Sequence, residues 1–459
     1  DDKYRKAVQR SLEFLQKHPS GFIKSIPFER DLKSFIAIVK ARADHAHQIE
    51  DLVRDKNLPM SILAQQLALT PFQAWLGLMG HTKLHVHMAY GTTEEQVKEA
   101  ETALAAKAIC VDVFALFTLR LLNHLNLLPK LFPKILVHTT IFEAIVENIR
   151  EMEVRKTGMT ISYHEGKLIR SEIGPEQIKE QLSFLIDIRD FLKSSAVELV
   201  GLDVGLVSTK DMKMARELLG VIYYEPIVVS QSRDLAYYAD DAPMRSLAST
   251  SHGVASFCTQ ALLRAAKEKK VLTDLQYEDA IITLPRHNYY FVSESVETVG
   301  RLAESEGFQP SELAKAIVRR VADPKVDQGS AIRILSDFCF FIWRADLSKA
   351  KVGREVWLEL CLDSMLQVKQ PETLFAQFLA NLGVRALTQP AVFGGITHWI
   401  LRSRKLSSLQ RALFYIGVQQ AITQMTPLAK REHPWQPNLQ EEWWWTGRLN
   451  VALDNNGWI

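Results

Sequence analysis

YYADDAPMRSLA, Tyr237–Ala248, is the stretch that decides the fold. It opens apolar and aromatic, as the end of a buried strand does. Asp240 and Asp241 follow, and Arg245 lies four residues past Asp241, with Leu247 and Ala248 at helical spacing. A strand that ends in acid and runs straight into a helix puts its carboxylates at the carboxyl edge of a sheet. Open α/β folds hold their sites at that edge. Two adjacent acids repel one another, and a cation beside them would explain the pairing. The simpler reading is that one of them N-caps the following helix.

Upstream, the same grammar recurs. Ala108 begins an apolar run that stops at Asp112 and passes into a Leu-rich helix. KILVHTT reads as a second strand, after which Thr140 opens a helix containing Glu143 and, one turn on, Glu147. MTISYHEGKLIRSE alternates around Glu165-Gly166 and reads as an inserted β-hairpin. Gly174-Pro175 starts a helix that ends near Ser194, and AVELVGLDVGLV reads as strand and turn. Asp211–Leu219 and Glu225–Leu235 read as helices, the second leading into the strand before Asp240. Strands and helices alternating from 108 to about 300 predict a parallel sheet with covering helices.

The acids therefore fall at element boundaries: Asp112, Glu143, Glu225, Asp240 and Asp241. Gathered at one sheet edge, they would hold a hard divalent cation, which takes oxygen ligands. Such sites activate water against a phosphodiester. Each acid also has a capping explanation. Asp112 can cap its helix, Thr140 and Glu143 spell a capping box, and Glu225 before Pro226 suits a first helical turn.

Residues 108 to about 302 resemble a PIN domain, the magnesium- or manganese-dependent nuclease fold. ICVDVFALFTLRLLNHLNLL looks like its first strand and helix. EPIVVSQSRDLAYYADDAPMRSLA followed by GVASFCTQALLRAAKEKKVLT is similar to bacterial PIN-like domains found with tetratricopeptide repeats and a GreA/GreB C-terminal-like segment. That group is thought to act in conflict or defence systems. The resemblance implies Asp112, Glu143 (or Glu147), Glu225 and Asp241 as metal-holding acids, with Asp240 beside Asp241. It also implies Mg²⁺ or Mn²⁺ as cofactor and RNA or DNA as substrate. Arg245 would anchor carboxylates or meet a phosphate. Glu225 stands where many members have Asp, and the inserted hairpin lengthens the usual domain.

The rest of the 459 residues divides around this core. The expected organisation is a helical region 1–107, the PIN-like α/β domain 108–302 and a helical domain 303–459. In the first, LPMSILAQQLALTPFQAWLGLM, Leu58–Met79, gives two short helices broken at Thr70-Pro71, a helix-turn-helix outline without a basic second helix. LHVHMA, Leu84–Ala89, alternates as a short strand with His85 and His87 on one face. In the last, FCFFIW, Phe338–Trp343, is apolar all round and predicts an interior helix. Trp443–Trp445 mark core or a partner surface.

Hydrophobic residues at 47%, charged residues at 24% and a net charge of +2 describe a folded chain without a global basic field. A nucleic-acid site would have to be local. The four cysteines form no CxxC pair and read as reduced thiols of a cytoplasmic protein. No stretch is apolar enough to span a membrane. The first residue is not Met, which leaves open a longer parent chain or a protein partner docked on the helical regions.

Overall fold

The computed structural model describes residues 32–81, 84–89, 93–154, 158–164, 167–202, 209–290, 296–321, 328–344, 353–366, 377–379, 381–382, 395–400, 406–408, 411–412 and 416. The chain divides into two compact units, residues 1–58 with 147–185 and residues 59–146 with 186–459.

In the first unit, helix α1 (Leu32–Lys56) packs on an antiparallel hairpin that falls where the alternating sequence placed it. Its strands are β4 (Gly158–His164) and β5 (Lys167–Ile173).

The second unit holds the sheet. Strand β2 (Ala108–Val111) is central and pairs in parallel with β3 (Lys134–His138) and with β7 (Ala236–Tyr238). Strand β6 (Val197–Val200) lies outside β3, and β8 (Ser256–Phe257) outside β7, again parallel. The strand order is β6-β3-β2-β7-β8. AICV of β2 is apolar throughout and its last three residues are buried, as a strand covered on both faces requires. The chain first builds outward from β2 through β3 to β6, then returns to build β7 and β8 on the other side. The order therefore reverses between β2 and β7, and the crevice outside the carboxyl ends of that pair is where such sheets bind ligands.

Helices alternate with the strands as predicted: α5 (Val113–Leu121), α6 (Leu127–Leu131), a single turn, α7 (Thr139–Val154), α8 (Pro175–Leu192), α9 (Lys210–Leu219), α10 (Val221–Ser232), α11 (Ala242–His252) and α12 (Thr259–Glu268). Of these α10 packs on β2, β3 and β7, α11 on β8 and α6 on β3. Helix α10 differs from its expected start at Glu225. It begins at Val221, with Gly220 at φ 88° making the sharp link from α9, so Glu225 and Pro226 lie inside the helix. The Thr140–Glu143 capping box also fails. Helix α7 already begins at Thr139, and the Thr140 hydroxyl bonds His138 Nδ1 at 2.8 Å.

The two short helices before the sheet are α2 (Met60–Gln66) and α3 (Pro71–Met79), and their break is where Thr70-Pro71 put it. Thr70 and Gln73 form a reciprocal capping box. Helix α3 buries Phe72, Ala74, Trp75 and Leu78, so it is not an exposed recognition helix. After it, β1 (Val86–His87) pairs in parallel with β9 (Tyr289–Tyr290), and both His85 and His87 stack on Tyr290. Helix α4 (Thr93–Ala105) then packs on α12.

After α13 (Asp274–Arg286) and β9 the described elements are helical: α14 (Val296–Ser305), α15 (Glu312–Val321), α16 (Gln328–Arg344) and α17 (Gly353–Leu366). They share a core with Ile282, Phe338, Trp357 and Trp399. Within FCFFIW only Phe338, Cys339 and Ile342 are buried. Phe341 and Trp343 are half-buried, each lying where a Cβ on Gly300 or Gly395 would press on its ring. Trp443–Trp445 lie outside the described residues.

Candidate active site at the carboxyl edge of the sheet

Asp112 follows β2 directly, and Asp240 and Asp241 follow β7. Because Val111 pairs with Tyr238, the residues after them emerge side by side, and the Asp112 amide bonds the Tyr238 carbonyl at 2.9 Å. The three acids stand at the reversal point of the strand order, and all are buried, at 1%, 0% and 2% exposure.

Each acid satisfies the amide at the start of a helix. Asp112 Oδ1 accepts from Phe114 N at 2.8 Å, an N-cap for its own α5. Asp240 Oδ1 and Oδ2 accept from the amide and hydroxyl of Thr259, the first residue of α12, both at 2.7 Å. Asp241 Oδ2 accepts from Met60 N, the first residue of α2, at 2.7 Å. Asp241 occupies the N-cap position of α11 without capping it. The capping reading therefore holds for Asp112, while the tandem aspartates reach across the fold to other helices.

Burial dominates the protonation of the group. It pushes Asp112 up to about 7, with the charges of Asp241 and Asp240 adding to the effect and the Phe114 amide opposing it. It likewise pushes Asp241 up to about 7 against the Met60 amide and Arg245. Asp240 is raised by burial, with Thr118, Thr259 and Arg245 pulling it back.

Two phenols face this cluster. Tyr237 donates to Asp112 Oδ2 at 3.4 Å. Tyr223 stacks on Phe114 with centroids 5.4 Å apart, and its fully buried hydroxyl has no hydrogen-bond partner among the described residues. Burial holds the Tyr223 proton well above the ordinary phenol range, and the charges of Asp112 and Asp241 add to it. Tyr223 lies two residues before Glu225 and was not singled out from sequence. A Tyr-Tyr pair at the start of an apolar helix carries no local signal for it.

The other predicted residues are placed differently. Glu143 and Glu147 are exposed on α7, and Glu147 contacts Arg150 at 3.5 Å. Glu225 is buried, and Arg216 Nε donates to its Oε1 at 2.8 Å. Its Oε2 stands 3.1 Å from Nε2 of His138, the last residue of β3. Burial lowers the His138 pKa, with the charges of Glu225 and Glu143 opposing it. Arg245 is fully buried. Its Nε binds Glu99 Oε1 at 2.8 Å, Nη1 donates to the Ala239 carbonyl at 3.0 Å, and Nη2 donates to the Met88 carbonyl. Glu99 Oε2 in turn accepts from Cys258 N at 3.0 Å. Arg245 thus anchors a carboxylate of α4 and the strand end itself.

Of the groups at the β2/β7 crevice, the carboxylate oxygens are of the type that a hard divalent ion takes. The arrangement in this structure does not close around one. Among the described residues no three His, Cys, Asp or Glu side chains lie close enough together to hold a metal. Asp241 Oδ2 is spent on Met60, and both Asp240 oxygens are spent on Thr259.

Among the described residues no helix is long and apolar enough to cross a membrane. No curated protein and no solved structure matches the chain. Residues 110–250 match the family model of the PIN domain associated with the TPR-GreAB-C-PIN system. That interval runs from the end of β2 to α11 and contains Asp112, Asp240, Asp241 and Tyr223. With its parallel sheet, acidic reversal point and family match taken together, the segment 110–250 is a PIN domain of that associated system.

Proposed function

We propose that the chain is a metal-dependent nuclease that hydrolyses phosphodiester bonds of RNA or DNA. The observation that carries the reading is the convergence of Asp112, Asp240 and Asp241 at the β2/β7 reversal point of a PIN domain. In this reading Asp112 and Asp241, with Glu143 on the first turns of α7, would hold Mg²⁺ or Mn²⁺, and Asp240 would set the position of its neighbour. A bound ion of this type lowers the pKa of water and offsets charge on a phosphoryl oxygen. Tyr223 is the chain's own donor beside it, keeping its proton and offering it to an oxygen in the crevice. Glu225 is proposed in the supporting role its partners suggest, held by Arg216 and His138.

The proposed division is the one expected from sequence, with helical regions 1–107 and 303–459 serving regulation or partner binding. The proposed setting is cytoplasmic, in a bacterial conflict or defence system. A second reading, a PIN-fold scaffold without catalysis, is favoured by the burial of all three aspartates. The test is cleavage of a labelled panel of single- and double-stranded RNA and DNA with Mn²⁺ or with chelator. Cleavage that requires the ion and is lost in Asp241→Asn supports the nuclease. Absence of cleavage, together with absence of any metal-induced shift in melting, supports the scaffold.

A further inference from the structure

Beside the aspartates, a cleft of about 450 Å³ opens between the start of α7 and the link from α9 to α10, with Gln65 of α2 and Pro71 of α3 on its rim. Small-ligand sites have volumes of about 300–1,000 Å³ and combine apolar walls with a few placed polar groups. This cleft has both. Val221 and Ile222 are apolar yet only half-buried, whereas Tyr223–Ser230 behind them are all buried. With Pro71 they leave an apolar wall open to the cleft.

Two polar side chains of the lining are already held in place. Arg216 gives Nε and Nη2 to one oxygen of buried Glu225, at 2.8 and 2.7 Å. The guanidinium is thus anchored along its side, while the side chain as a whole stays 45% exposed. The Gln65 carboxamide lies against Gly220, where the backbone has φ 88° and an added Cβ would collide with it. Glycine at 220 therefore serves both the turn and the position of the carboxamide. Glu217 is the third polar group, exposed on the next residue of α9. Gln65 and Glu217 make no side-chain hydrogen bond among the described residues. The Thr140 hydroxyl, by contrast, is spent on His138 Nδ1.

Charge and direction decide what these groups fit. One arginine stands with two glutamates, Glu217 and Glu225, so the wall is net negative and disfavours a phosphate or carboxylate. The apolar wall favours a flat, uncharged ring. The free end of the guanidinium presents two parallel N–H donors, which match two neighbouring acceptors. Glu217 presents acceptors alone, and Gln65 presents both kinds. Guanine carries this set: O6 and N7 accept side by side, and N1–H and N2–H₂ donate on the adjoining edge. Adenine has its N6–H₂ donor where guanine has O6, which would set donor against donor at Arg216.

We propose that the cleft is a base pocket for guanine in a single-stranded nucleic acid, with Arg216 on O6 and N7 and Glu217 on N1–H and N2–H₂. Single strands offer unstacked bases to such pockets. Ile222 adjoins Tyr223, which stacks on Phe114, the residue whose amide Asp112 accepts. A strand with its base in the cleft therefore passes beside the β2/β7 crevice. The strand rests on the nuclease reading above, whereas base binding itself needs no metal.

The test is calorimetry in chelator with guanosine and with adenosine, on the native chain and on Glu217→Gln. A labelled single-stranded oligonucleotide with one guanine, and its match with adenine in that place, are then titrated with the native chain. Because Glu217 is exposed and unbonded among the described residues, its substitution leaves the fold in place. The expected result is binding of guanosine but not adenosine, at least about tenfold weaker in Glu217→Gln, which loses the paired acceptors. The guanine oligonucleotide should bind more tightly than its match. Equal binding of the two nucleosides, binding unchanged in Glu217→Gln, or no binding overturns the pocket. Guanosine binding without preference between the oligonucleotides overturns the strand as its source. Mn²⁺-dependent cleavage without guanosine binding leaves the nuclease reading standing and removes the pocket. Guanosine binding without any Mn²⁺-dependent cleavage keeps the pocket and removes the nuclease.

Discussion

Met60 donates its main-chain amide to Asp241 across 2.7 Å, joining residues 181 positions apart in a fully buried hydrogen bond. The bond separates two substitutions that look alike. Asp241→Asn keeps an oxygen for the amide and removes a buried charge, so the metal-free protein should be as stable or slightly more stable. Asp241→Ala leaves the amide unpaired in the interior and should cost about 1–3 kcal/mol. Urea denaturation of both variants in chelator checks this. Equal losses would mean the carboxylate is not what holds α2.

The raised aspartates set a pH dependence with a definite sign. Unfolded carboxyls titrate near 3.8, and in the folded chain Asp112 and Asp241 are pushed up to about 7. Between those values the folded protein binds more protons than the unfolded one, so their contribution to stability is full at low pH and is lost as pH rises toward 7. The slope is at most about 1.4 kcal/mol per pH unit for each group. Asp112→Asn still accepts the Phe114 amide but cannot ionise. Its melting temperature relative to the native chain should climb from pH 4 to pH 7 in chelator and level off above. A constant difference across that range would contradict the assignment.

Arg245 should behave as a structural residue. Arg245→Met strands Glu99 in a buried position and frees two strand-end carbonyls, which should cost roughly 3–5 kcal/mol. The loss should be the same with and without Mn²⁺, as read by denaturant titration. A variant of native stability that binds oligonucleotide poorly would instead place Arg245 on a phosphate.

In the helical region, Phe338 is fully buried and meets Trp357 edge-on at 5.1 Å. Phe338→Ala should cost about 3–5 kcal/mol. Trp343→Ala, at a half-buried position, should cost clearly less. Thermal melting of the two variants tests which face of FCFFIW points inward.

How much of this could be read in the chain follows from where the signals lie. Asp112, Asp240 and Asp241 each end an apolar run, so local pattern alone put them at one sheet edge. Thr70-Pro71 marked its helix start for the same reason: both capping partners lie within four residues. His138 carried the same signal as Asp112, a polar residue closing the apolar run of β3, and it leads directly to Glu225. Glu99 carried none. It sits among other acids on α4, and only its pairing with Arg245, 146 residues away, distinguishes it. Strands β8 and β9 are two residues each, too short to show a period. The exposure of Glu143 and the earlier start of α10 depend on how helices rotate against the sheet, which local pattern does not encode.

The most direct measurement is a manganese titration of the native chain and of Asp112→Asn, read in parallel by calorimetry and by cleavage of the labelled nucleic-acid panel. Asp112 caps α5, and Asn caps as well as Asp, so the substitution leaves the fold in place. The prediction is saturable Mn²⁺ binding and Mn²⁺-dependent cleavage by the native chain, with both lost in Asp112→Asn. Identical Mn²⁺ binding and identical cleavage by the two proteins would contradict a metal-dependent site at the β2/β7 crevice.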